Sequence, residues 1–189
     1  MPTKRRVWFP GCMYHITARG NHQEDIFKSI ADFNMYLRMM KECLNYYEDC
    51  NYEVISYCLM RNHVHILARA GKKEIGGFIR RLHSMYAMYF NNKYDSTGHL
   101  YQGRYYSEVI MDVGQLMEVS RYIHLNPVRA NIVKLPQQYK FSSYNMYIGN
   151  EEENIVDTSM ILGYFSEEEK AEKKKERYRH FVEKVMEVS

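Results

Sequence analysis

The stretch Glu53-Val54-Ile55-Ser56-Tyr57-Cys58-Leu59-Met60-Arg61-Asn62-His63-Val64-His65-Ile66-Leu67-Ala68-Arg69 decides the fold. Glu53 to Met60 is dense in strand formers, Arg61-Asn62 reads as a tight turn, and His63 to Arg69 reads as the returning strand. Successive strand side chains point to opposite faces, so Val64 turns toward a core while His63 and His65 share the other face. A hairpin that shows two imidazoles on one side needs helices on its apolar side only.

The flanks supply them. Upstream, Phe33, Leu37, Met40, Leu44 and Tyr47 recur at helical spacing. Before that, Tyr14-His15-Ile16-Thr17-Ala18-Arg19 alternates as a strand, with Tyr14, Ile16 and Ala18 on one face and His15, Thr17 and Arg19 on the other; Gly20-Asn21 ends it. Downstream, Ile75, Phe78, Ile79, Leu82, Met85, Tyr86, Tyr89 and Phe90 form a second helical stripe, with Arg80, Arg81 and His83 on its other side. Gly98 and Gly103 bracket a loop, and Tyr105 to Met111 reads as a fourth strand. Asp112 and Gln115 cap a third helix that is expected to run to Asn126 and stop at Pro127. The order β-α-β-β-α-β followed by a helix predicts an α+β, ferredoxin-like (RRM-like) antiparallel sheet. Helices cover one face, the third helix lies near the open face, and a further helix is expected at the C-terminal end.

The chain has 189 residues, 26 basic and 23 acidic, for a formal charge of +3. That sum hides a partition: residues 1–149 carry 19 Lys+Arg against 12 Asp+Glu, and residues 150–189 carry 7 against 11. Two units are therefore expected, a basic body over 1–149 and an acidic linker with a helical extension over 150–189. Ser166 with Glu169 reads as the capping box of that last helix, whose thin apolar seam is Tyr178, Phe181, Val182 and Val185. A basic body suits a polyanionic partner. No apolar run reaches membrane-spanning length, no signal peptide is apparent, and the four cysteines lack CxxC spacing, so a cytoplasmic location with reduced thiols is expected.

Two histidines on one open strand face can hold a divalent metal, although two ligands seldom suffice. The third helix offers more. Tyr122 and Asn126 are four apart and stack on one helical face, and Asn126 carries an amide oxygen that can join the same metal.

Five segments carry a resemblance. They are Tyr14 to Asn21, Tyr57 to His65, Gly98-His99-Leu100-Tyr101-Gln102-Gly103-Arg104, Arg121 to Ala130, and Phe141-Ser142-Ser143-Tyr144. In order and spacing, over residues 5–149, they resemble the single-tyrosine HUH transposases of bacterial insertion sequences, most closely the REP-associated tyrosine transposases. The resemblance implies a strand transferase that cuts single-stranded DNA near hairpins, with His63, His65 and Asn126 as metal ligands and Tyr122 as nucleophile. It implies Mg²⁺ or Mn²⁺; ligand softness alone favours Mn²⁺ or Zn²⁺. Relatives often carry Trp where this chain has Phe141, which keeps an aromatic there.

On that reading Arg19, Arg80, Arg81, Arg104 and Arg129, with Lys72 and Lys73, are expected to meet phosphates. Tyr101 and Tyr105 are expected to stack on bases and Gln102 to bind DNA, while His99 and His124, and alternatively Gln102, orient loops or ligating groups. The partner is single-stranded DNA with hairpin ends, close to the nucleoid and away from membranes. Some relatives form homodimers with the tyrosine helix donated in trans and others act alone, so both states stay open. Two rivals also stand: a domesticated hairpin-binding protein with little or no turnover, and a structural-metal protein unrelated to nucleic acid.

Overall fold

The computed structural model describes residues 8–165 and 170–187. Strand β1 (Met13–Arg19) leads through helix α1 (Ile30–Tyr46) into the hairpin β2 (Glu53–Met60) and β3 (His63–Arg69), and α2 (Gly76–Tyr94) brings the chain back to β4 (Tyr106–Ile110). The hairpin's ends fall where the sequence puts them. The sheet runs β2-β3-β1-β4 with every neighbouring pair antiparallel, the ferredoxin-like α+β arrangement that the element order predicts.

Register sorts the faces. Tyr14 pairs with Ala68, Ile16 with Ile66 and Ala18 with Val64, and all six are buried on the side that α1 and α2 cover. The α1 stripe is rotated from expectation. Phe33, Tyr36, Met40 and Cys43 are its buried residues, whereas Leu37 and Leu44 are half-buried, because Tyr36 rather than Leu37 packs against Phe27 and Tyr86. The start of α1 is fastened to α2 through Asp32, which is fully buried. Its carboxylate accepts from the Lys28 and Ser29 amides, from Lys93 Nζ at 2.6 Å, and from the hydroxyls of Tyr89 and Tyr94.

The opposite face is only half open. Helix α3 (Val113–Arg129) lies over β2 and β3, and behind it come α4 (Tyr144–Tyr147), α5 (Ser159–Leu162) and α6 (Ala171–Glu183). β2 is therefore buried on both faces from Val54 to Met60. Its outer edge is closed as well: the Leu59 amide donates to the Phe141 carbonyl, and Ser143 exchanges bonds with the Tyr57 main chain. Phe141 stacks on Phe33 with ring centroids 4.1 Å apart, so an aromatic at that position packs the edge closure onto α1.

Helix α3 does not stop at Pro127. It continues to Arg129, so the proline leaves the Ile123 carbonyl without its usual donor yet does not end the helix. Tertiary packing of Ile123, Leu125 and Asn126 overrides the local break. The capping box proposed at Ser166 and Glu169 lies outside the described residues. All four cysteines are free. Among the described residues, no helix is long and apolar enough to cross a membrane.

Candidate active site

The uncovered half of the second sheet face forms a cavity of about 430 Å³ lined by His15, Thr17, Arg19, His63, His65, Tyr106, Glu108 and Tyr122, with Ala18 at its edge. Strand alternation brings the three histidines there. His65 sits opposite Thr17 on β1, His15 lies diagonal to it, and Glu108 of β4 sits opposite His15. Tyr122 reaches the cavity from α3, about a third exposed, with its ring edge-on to His65 at 5.4 Å and to His15 at 6.0 Å between centroids. The predicted His63, His65 and Tyr122 are thus brought together.

Both ligand candidates have one ring nitrogen already engaged. His63 Nδ1 lies 2.6 Å from Asn62 Oδ1. The Asn62 amide is oriented by its own donation to the Gln23 carbonyl, so Oδ1 faces the imidazole and accepts. His63 must then carry its hydrogen on Nδ1, which leaves a lone pair on Nε2. His65 Nδ1 lies 3.0 Å from His15 Nε2, and the two rings stack at 5.2 Å. Burial lowers the pKa of His63 and takes His65 down to about 3, with the neighbouring imidazoles contributing to the latter. Both rings are neutral at pH 7, the form that ligates a metal.

Asn126 is buried on α3, one turn after Tyr122, and is not part of the cavity lining. Its Nδ2 donates to the Tyr122 carbonyl at 2.9 Å, which leaves Oδ1 as a free acceptor. Two imidazole nitrogens and an amide oxygen fit a divalent cation that completes its shell with phosphate and water oxygens. Among the described residues no cluster of three or more His, Cys, Asp or Glu side chains is arranged to hold a metal.

The residues expected to bind DNA divide into groups. Arg80, Tyr101, Gln102 and Arg104, with His99, line a second cavity of about 640 Å³ between α2 and the loop 98–105. That loop is tied to the end of β1: the Gln102 amide donates to the Arg19 carbonyl, the Asn21 amide donates to the Leu100 carbonyl, and Gly20 bridges Tyr101. A side chain at Gly20 would collide with the Glu24 carbonyl, which explains the glycine beside this junction. His83 is buried, stacked on Tyr101 at 4.6 Å, rather than lying on the polar side of α2.

Arg129 lines neither cavity but lies beside the first, with its guanidinium 5.1 Å from the centre of the Tyr122 ring. Arg81 joins neither cavity. It stacks on Tyr46 at 3.7 Å and is half-buried. Lys72 and Lys73 are exposed and line neither cavity. His124 points away from the metal candidates, with Nδ1 2.6 Å from the Tyr178 hydroxyl and Nε2 2.8 Å from Ser143 Oγ. Sequence reasoning left His15 and Asn62 out of the site. The signals were present in the alternation of β1 and in the residue preceding the histidine pair.

The family model for IS200-like transposases matches residues 9–126. A REP-associated tyrosine transposase solved bound to a REP hairpin has a similar fold, with a TM-score of 0.65 at 16% identity over 83% of this chain and 94% of that one. A Deinococcus radiodurans R1 protein described as a candidate transposase aligns at 16% identity and a TM-score of 0.44, over 64% of this chain and 95% of its own. A tRNA(His) guanylyltransferase from Saccharomyces cerevisiae aligns at 10% identity and 0.42, over 98% and 80%. Likenesses that loose carry no further argument. No curated protein matches the sequence.

Proposed function

The chain belongs to the IS200-like transposase family, and from that premise we propose that it cleaves and rejoins single-stranded DNA next to hairpins through a covalent bond to Tyr122. The observation that carries the reading is the convergence of Tyr122, from a helix, on the His63–His65 pair of a central strand. Nothing in a stable core asks for an exposed tyrosine beside three neutral imidazoles.

His63 Nε2, His65 and the Asn126 amide oxygen would hold Mg²⁺ or Mn²⁺, which when bound polarises the scissile phosphate. Tyr122 Oη attacks phosphorus and loses its proton to water, the bond from phosphorus to the 3′ oxygen breaks, and that oxygen takes a proton from water. The products are a 5′-phosphotyrosine and a free 3′-OH. A second 3′-OH then attacks the same phosphorus and releases the tyrosine, so the phosphodiester energy is conserved and no nucleotide cofactor is consumed. Arg129, over the Tyr122 ring, favours the developing phenolate. Arg19 in the catalytic cavity, with Arg80 and Arg104 in the second, continues a phosphate track, and Tyr101 and Gln102 offer contacts to unpaired bases.

The test is incubation of the protein with a labelled hairpin oligonucleotide carrying single-stranded flanks, in Mg²⁺ or Mn²⁺. A denaturation-resistant adduct is expected for the wild type and none for Tyr122→Phe, while both bind the DNA. Binding without any adduct across both metals favours the domesticated, non-cleaving protein. Adduct in Tyr122→Phe overturns the nucleophile.

A further inference from the structure

His63 has its tautomer fixed by Asn62, but the contact between His65 Nδ1 and His15 Nε2 is compatible with two arrangements. If His15 donates, a neutral His65 keeps its hydrogen on Nε2, and its remaining ligating position is blocked. If His65 donates from Nδ1, Nε2 keeps its lone pair and the ring is ready to ligate. The choice rests on His15, whose other nitrogen must then carry the hydrogen. Glu108 faces His15 directly across the β1–β4 pairing and lines the same cavity, and its negative charge acts on the His15 ring.

We infer that Glu108 and His15 form a positioning relay that sets the tautomer of His65. The Glu108 carboxylate favours a hydrogen on the far nitrogen of His15, His15 Nε2 accepts from His65 Nδ1, and His65 Nε2 is left open toward the cavity. No proton changes owner in this relay; it selects among neutral forms. The stack of His15 on His65 and its edge contact with Tyr122 also hold the His65 plane, so one residue sets both the direction and the tautomer of the candidate ligand. The two histidines of the pair would then be prepared by different devices, an amide on one side and a carboxylate-backed imidazole on the other.

This inference rests on the proposed metal role of His65, and two readouts separate their failures. The first is the ring-nitrogen NMR correlation of metal-free protein, which reports the tautomer with no metal and no DNA. Wild type is expected to show His65 protonated on Nδ1. His15→Gln, which keeps an acceptor oxygen, is expected to retain that form. His15→Leu and Glu108→Gln are expected to lose it in part or whole, and Glu108 is exposed, so its substitution leaves the core untouched. The second readout is Mn²⁺ affinity by electron paramagnetic resonance. A loss of about 10- to 100-fold is expected for His15→Leu, with partial rescue in His15→Gln. A hydrogen on His65 Nε2 in wild type, or a tautomer indifferent to both His15→Leu and Glu108→Gln, overturns the relay. Wild type that shows the expected tautomer but binds no Mn²⁺ overturns the metal reading and leaves the relay standing.

Discussion

The hydroxyl of Tyr178 lies 2.6 Å from Nδ1 of His124, fully buried, and it is shared at the same distance with Ser120 Oγ. His124 and Ser120 are on α3, the helix that carries Tyr122, whereas Tyr178 is on α6. The C-terminal helix is therefore bonded to the back of the helix whose front bears the candidate nucleophile. Tyr178→Phe strands two buried polar groups, each costing about 1–3 kcal/mol. Thermal unfolding should fall by several degrees, and the covalent adduct should weaken although the substitution touches neither cavity.

The second cavity gives a salt-dependent prediction. For a single strand, log affinity falls by about 0.7 per log unit of salt for each phosphate engaged. Arg80→Ala and Arg104→Ala are each expected to weaken oligonucleotide binding and to flatten that slope by about one such step. Gln102→Ala should weaken binding at unchanged slope. Arg81→Ala should alter neither, because its guanidinium is spent on Tyr46. Fluorescence anisotropy at four salt concentrations distinguishes the three patterns.

Burial tends to raise the pKa of Asp32, but the bonds from Lys93, Tyr94, the Lys28 amide and Tyr89 outweigh it and hold the carboxyl well below the usual range. The folded value lies below the unfolded one of about 3.9. The stabilisation is thus complete above that pH and is lost as pH falls toward the folded value. Asp32→Ala is expected to cost roughly 3 kcal/mol, the lower end for breaking a buried pair, since Lys93 keeps partial access to water. Urea unfolding at pH 7 measures it, and the gap between wild type and variant should narrow below pH 4.

His83 predicts a separate effect nearer neutrality. Burial lowers its pKa to about 3, against about 6.5 in the unfolded chain. The unfolded state therefore takes up the proton first, and stability drops as pH falls below 6.5, by on the order of 1 kcal/mol per pH unit from this group. His83→Leu should lower the melting temperature at pH 7.5, through loss of the stack on Tyr101, yet reduce its decline between pH 7 and 5. An equal decline in both proteins would show that His83 is not the group responsible.

The sequence carried the sheet well where alternation was clean. In β1 and β3 every second residue is apolar, so their core faces and the shared face of His63 and His65 could be read directly. β2 gave no such signal, because Val54 to Met60 is buried on both sides, and a run without alternation hides a second covering layer. That is why the extent of β2 that α3 covers, and α4 behind it, were not anticipated, although the third helix was expected near the open face. The four-residue spacing of Tyr122 and Asn126 could be read along one helix; of the two, Tyr122 lines the cavity and Asn126 does not. Alternation put His15 on the right face, but its diagonal contact with His65, 50 positions away, could not be read from it. Pro127 misled for a related reason: the local rule ends a helix there, and packing supplied from elsewhere in the chain lets it continue.

The bonds that mount α3 join residues far apart in synthesis. His124 meets Ser143, Ser143 meets the Tyr57 main chain, and Tyr178 closes the set. A ribosome adding roughly 5–20 residues per second delivers the sheet's histidines long before residue 178. Contacts of such high separation also form late in refolding, after local hairpins and helices. A nascent chain can accordingly pair the strands that carry His63 and His65 before the helix that bears Tyr122 is clamped, and that clamp closes only after Tyr178 has been made.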